Sequence, residues 1–89
     1  MVDLTGGEKR FHRSTLKMRP VDLKVGKRGL NLEFIKECRK VLIKDGMIKL
    51  GLPGDKEAQK RLIEELCEIL PAITISKVGK TAGFIYKNE

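Results

Sequence analysis

The sequence predicts a small two-layer α/β domain, with elements in the order α-β-α-β-α-β-β and a four-stranded mixed sheet with helices packed on it. Three observations predict it. Three stretches alternate apolar and polar residues with the period of a half-buried strand, a fourth strand-like stretch follows the third across a short turn, and the segments between the strands carry apolar residues at helical spacing. With 89 residues, 40% hydrophobic and 35% charged, the chain supports one domain and one modest core rather than a disordered tail. Residues 1–7 read as a short flexible lead, and residues 8–89 as the domain.

From Glu8 to Arg19, Phe11, Thr15 and Met18 recur at i, i+4 and i+7, which predicts a short helix stopped by Pro20. Lys9, Arg13 and Lys17 form a stripe along it, one turn apart. Val21 to Gly26 alternates Val21, Leu23 and Val25 against Asp22 and Lys24 and predicts the first strand. Asn31 offers a side-chain oxygen as the N-cap of a helix running to Asp45, with Leu30 and Ile35 placed as a hydrophobic staple. Ile35, Cys38, Val41 and Leu42 make its inward stripe, Lys36, Arg39, Lys40 and Lys44 face water, and Gly46 closes it in the left-handed conformation. Met47 to Leu52 predicts the second strand, ending at Pro53-Gly54. Asp55 caps a third helix with Ala58, Leu62, Leu66 and Ile69 inward and Glu57, Glu64, Glu65 and Glu68 outward. Ala72 to Val78 alternates again, Gly79-Lys80 turns, and Thr81 to Lys87 completes a hairpin. Right-handed crossovers put the two longer helices on one sheet face and leave the N-terminal helix to cover part of the other. Gly83, inside the last strand, marks an irregular edge or a close approach of another backbone.

The net charge of +7 is unevenly spread: residues 1–30 carry +5, 31–54 carry +2, 55–70 carry −2 and 71–89 carry +2. A basic domain with one acidic helix suits a polyanion partner on one side. No apolar run approaches the length of a membrane span and no apolar core follows the first charges, so no membrane contact and a cytoplasmic location are expected.

Enzyme chemistry finds little support. Val78 to Thr81 (VGKT) ends like a phosphate loop, but the motif needs glycine where Thr74 stands and a helix where a strand is predicted. HExxH and GxSxG are absent, and the single histidine, His12, reads as a solvated basic-face residue. Cys38 and Cys67 lack metal or redox spacing and read as small buried hydrophobes. The expectation is a non-enzyme without cofactor or metal.

The stretch "GKRGL", Gly26 to Leu30, stands out. Glycine at both ends lets the backbone turn tightly and lets a phosphate approach without meeting a β-carbon. The N-terminus of the following helix points its amides at the same place. Lys27 and Arg28 between the glycines add a point charge and a bidentate donor for phosphate oxygens.

The loop, the block Met47 to Leu52 (MIKLGL) and the terminal block Val78 to Lys87 (VGKTAGFIYK) occur in the order found in the CRM domain, the YhbY-like family of RNA-binding modules, which this sequence resembles from about Met18 to Lys87. The resemblance implies an RNA-binding domain similar in fold to the C-terminal domain of bacterial translation initiation factor three. It also implies that Gly26, Lys27, Arg28 and Gly29 form the family's GxxG loop. The sequence therefore leads us to expect a monomeric binder of structured ribosomal RNA or a pre-ribosomal particle, in ribosome assembly or RNA maturation. Lys27 and Arg28 would lie on phosphates, and Lys9, Arg10, Arg13, Lys17 and Lys80 would widen the basic surface. With 4% aromatic residues, base stacking is not the main mode, and Phe84 and Tyr86 read as packing residues. A module docking on an acidic ribosome-associated protein and a general DNA binder are the alternatives that charge leaves open.

Overall fold

The computed structural model describes residues 6–26 and 29–87, with side chains from residue 12 onward. Helix α1 spans Gly6–Met18, strand β1 Leu23–Lys24, helix α2 Leu32–Asp45, strand β2 Met47–Gly51, helix α3 Lys56–Ile69, strand β3 Ala72–Val78 and strand β4 Thr81–Tyr86. Order and sheet type are those the sequence predicts.

Local chemistry sets the helix ends. Asn31 Oδ1 accepts the Phe34 amide at 2.8 Å, and Asp55 Oδ1 accepts the Ala58 amide at 2.9 Å, so both longer helices start on side-chain caps. Gly46 has φ +77° and donates its amide to the Leu42 carbonyl at 2.8 Å, ending α2 as expected.

The sheet runs β1-β2-β4-β3, with β1 parallel to β2 and β4 antiparallel to both β2 and β3. The hairpin thus folds back into the sheet, and β4 is an interior strand. Its residues Ala82 to Ile85 are all buried, and a strand covered on both faces belongs between two neighbours. Gly83 consequently lies inside the sheet rather than at an edge. The ladder between β3 and β4 slips by one residue there, leaving Ile75 and Ser76 together opposite Gly83 as a bulge.

Helices α2 and α3 pack on one face. Ile35, Cys38, Leu42, Leu66 and Leu70 meet Ile48, Leu50 and Phe84 in the main core. Burial pushes the Cys38 thiol up to about 12, with Glu37 adding to the shift, so it stays a protonated, apolar filler at neutral pH. Cys67 is half-buried, its sulfur 3.2 Å from the Thr74 hydroxyl. Helix α3 turns slightly from its expected face: Ile69 is exposed, while Gln59 is buried and donates to the Gly54 carbonyl at 2.8 Å. That bond satisfies a buried amide and stiffens the β2–α3 turn.

Helix α1 covers the opposite face, but not through the stripe that its spacing suggests. Leu16 is 1% exposed and packs with Ile75 and Ile85, whereas Met18 is 85% exposed. The Phe11 side chain lies outside the described residues. The sheet decides the rotation, because Gly83 leaves a hollow over which Leu16 sits. A β-carbon at position 83 would stand 2.8 Å from Leu16 Cδ1 and 2.7 Å from Ser76 Oγ. The close approach at Gly83 is thus by side chains rather than backbone. His12, one turn before Leu16 on the docked face, is half-buried rather than solvated.

Strand β1 is shorter than the Val21–Gly26 stretch expected from alternation. As an edge strand it pairs only with β2, and its flanks are held singly, by Asp22 N–H to the Lys49 carbonyl (2.8 Å) and Val25 N–H to the Gly51 carbonyl (3.0 Å). Arg19 ties this edge to the helices. Its Nε and Nη2 reach the Asp22 carboxylate at 2.9 and 3.0 Å, and Nη2 also reaches Asp45, which raises the guanidinium pKa well above its ordinary value. Asp22 in turn accepts the Lys49 amide at 2.8 Å, and Lys49 Nζ donates to the Arg19 carbonyl at 2.9 Å. Removing the guanidinium leaves two carboxylates without their shared cation. Arg19→Ala is expected to cost about 1–3 kcal/mol, seen as a lower urea midpoint at unchanged m-value.

Candidate nucleic-acid interface

The sequence-predicted loop sits at one end of the sheet. The Gly29 amide donates to the Gly26 carbonyl at 3.0 Å, closing a four-residue turn. Its two central positions, Lys27 and Arg28, lie outside the described residues. The second glycine is the demanding one: Gly29 has φ +70°, a conformation that side chains strain to adopt, and a β-carbon there would meet nothing within 4 Å. Gly26 takes an ordinary φ and is likewise open to solvent. Immediately beyond stands the capped N-terminus of α2, a place where helix dipole and amides favour an anion.

Strand pairing brings the rest of this end together. Lys24 pairs with Gly51, Gly51 pairs with Thr81, and the Leu52 amide donates to the Lys80 carbonyl at 2.7 Å. The loop after β1, the loop from β2 to α3 and the β3–β4 turn are therefore neighbours. Between the N-terminus of α3 and the turn lies a cleft of about 780 Å³ lined by Lys56, Lys60, Lys77 and Lys80. Asp55 is the carboxylate among its lining residues, and it is held on the Ala58 amide as the helix cap.

Of the residues singled out from sequence, Gly26, Gly29 and Lys80 meet at this end. Arg13 and Lys17 do not: they lie on α1, against the opposite face of the sheet, where Arg13 Nε donates to the Ile75 carbonyl at 3.2 Å. The side chains of Lys9 and Arg10 fall outside the described residues. Sequence reasoning missed Lys24, Lys56, Lys60 and Lys77. Each read as an ordinary polar position; Lys24 adjoins the loop in sequence, while the pairing of β2 with β4 brings the α3 N-terminus and the β3–β4 turn, with Lys56, Lys60 and Lys77, to the same end. Phe84 is 1% exposed and packs in the core as expected, while Tyr86 is 37% exposed at the far end of the sheet. No helix among the described residues is long and apolar enough to cross a membrane.

Known proteins were compared with the chain. A search of curated sequences found no match. Among solved structures, the solution structure of the hypothetical protein SAV1595 from Staphylococcus aureus, for which RNA binding is a provisional assignment, superposes with a TM-score of 0.81 at 25% identity. The match covers 98% of this chain and 92% of that one. The profile of the CRS1/YhbY (CRM) domain matches residues 4–87, which takes in the glycine-flanked loop, both capped helices and the closing hairpin. The chain belongs to the CRS1/YhbY (CRM) domain family.

Proposed function

We propose that this chain is a non-enzymatic, cytoplasmic RNA-binding domain that acts as a monomer on structured ribosomal RNA or a pre-ribosomal particle, in ribosome assembly or RNA maturation. It would hold the RNA at the basic end of its sheet. The observation that carries the reading is the convergence of the Gly26–Gly29 turn, two capped helix N-termini and the lysines of the β3–β4 turn at that one end. Phosphates bind where amides and mobile cations meet at an unhindered backbone. Family membership and the provisional RNA-binding assignment of the Staphylococcus neighbour favour RNA over DNA or an acidic protein.

Salt titration tests it. Affinity for a structured RNA is expected to fall linearly on a log-log plot as salt rises, and Lys27→Ala to reduce the slope by about one unit. An unchanged slope removes the loop from the interface. Competition by duplex DNA as effective as that by structured RNA would replace the RNA reading with a general nucleic-acid one.

A further inference from the structure

A second basic cleft lies on the other side of the sheet. It has a volume of about 530 Å³ and is enclosed between α1, β2 and the β3–β4 hairpin. Four cations line it: Arg13, Lys17, Lys49 and Lys77. None of the described residues lining it is acidic, and the nearby Asp22 carboxylate is taken up by Arg19 and the Lys49 amide. Three cations are held on backbone carbonyls, Arg13 through Nε on Ile75, Lys49 through Nζ on Arg19 and Lys77 through Nζ on Gly79, while Lys17 is exposed beside them. Arg13 and Lys17 stand four residues apart on α1, a separation of about 6 Å along the helix axis.

The remaining lining is not that of a simple charge trap. Ser76 and Thr81 contribute hydroxyls, and Val78 leaves a large aliphatic side chain 68% exposed at the rim. Cations, hydroxyls and an apolar rim together match a nucleotide strand, which offers phosphate, ribose hydroxyl and an apolar sugar and base face in each repeat. An acidic peptide offers carboxylates and amides but not that repeating alternation of phosphate and ribose. Its volume is on the scale of a small-ligand cleft, with room for a segment of one strand.

Lys77 lines this cleft and also the one between the N-terminus of α3 and the β3–β4 turn, so the two basic surfaces join around the exposed edge of β3. We propose that the α1–hairpin cleft binds a single-stranded RNA segment flanking the structured element held at the loop, so that one RNA wraps the β3 edge and touches both faces of the sheet. This rests on the RNA-binding reading above and extends it to a second face and to single strands.

The test compares a stem-loop RNA with and without a single-stranded flank, by fluorescence anisotropy at fixed salt, for the wild type, a cleft variant (Arg13→Gln/Lys17→Glu) and a loop variant (Lys27→Glu/Arg28→Glu). The wild type is expected to bind the flanked RNA about tenfold more tightly, and the cleft variant to lose that increment while binding the bare stem-loop as before. Circular dichroism checks that α1 remains helical, and Lys17→Gln alone, which leaves the Ile75 contact untouched, is expected to lose part of the same increment. Equal affinity of the wild type for the two RNAs overturns the cleft proposal. So does a cleft variant that keeps the increment. Polyglutamate that displaces the flank as effectively as single-stranded RNA overturns it in favour of an acidic protein partner. Loss of the bare stem-loop by the loop variant sustains the primary reading in each case, and its retention counts against that reading alone.

Discussion

Gly83→Val is expected to destabilise the protein by about 2–3 kcal/mol, a large part of the 5–15 kcal/mol that holds a domain of this kind together. In a chain of this length such a loss lowers the melting temperature by roughly 10–20 °C. The reason is local and steric. A β-carbon at position 83 meets Leu16 Cδ1 at 2.8 Å, Leu16 Cβ at 3.2 Å and Ser76 Oγ at 2.7 Å. Leu16 Cδ1 and Ser76 Oγ are side-chain ends that can swing aside. Leu16 Cβ, at 3.2 Å, moves only with α1, so the helix must shift by a few tenths of an ångström on a packed sheet. Valine would otherwise suit an interior strand better than glycine, which makes destabilisation a discriminating result. Leu16→Ala alone is expected to cost about 2–5 kcal/mol by emptying the same contact. Combined, the two substitutions are expected to cost less than their sum by about 1 kcal/mol, because alanine at 16 removes the 2.8 Å contact with Cδ1 and opens space for the valine methyls, although the 3.2 Å contact with Cβ persists. Chemical denaturation of the four proteins gives the cycle; strict additivity would show that α1 is not seated on Gly83.

That seat explains where sequence reading succeeded and where it stopped. Asn31, Gly46 and Asp55 were legible because a cap is settled within a few residues, and β3 was legible because apolar and polar residues alternate from Ile73 to Ser76. The face of α1 was not legible. Phe11, Thr15 and Met18 have the better spacing, yet Leu16 is buried because a distant glycine and a bulge in β3 leave a hollow for it. The insertion of β4 between β2 and β3 is equally non-local, although its apolar run Ala82 to Ile85 carries the signal of a strand covered on both faces. The site divides along the same line. The Gly26–Gly29 turn is written in four consecutive residues, whereas Lys56, Lys60 and Lys77 share its end of the sheet only through strand pairing.

Lys27→Glu/Arg28→Glu is expected to lower affinity for structured RNA by about a hundredfold near physiological salt, with the fold intact. Counterion release sets the size of the loss, because each lost phosphate contact removes nearly one unit of log-log salt slope. Two reversals remove two contacts and set two carboxylates against the backbone, so the slope is expected to fall by at least about two units. Stability should barely change, since the bond from the Gly29 amide to the Gly26 carbonyl uses neither side chain and both substitutions are of charged residues outside every strand and helix of the described fold. Gly29→Ala separates charge from shape at the same place. It keeps Lys27 and Arg28 but strains a backbone whose φ is +70°, at a cost of about 1–2 kcal/mol. If the loop works by presenting its two cations in one turn geometry, Gly29→Ala weakens RNA binding with little change of salt slope, while the double reversal changes affinity and slope together. If the cations act only as a diffuse field, Gly29→Ala leaves affinity alone and reversal of any two exposed cations matches the loop pair. Lys36→Glu/Lys40→Glu, on the exposed face of α2, is the control that decides between them.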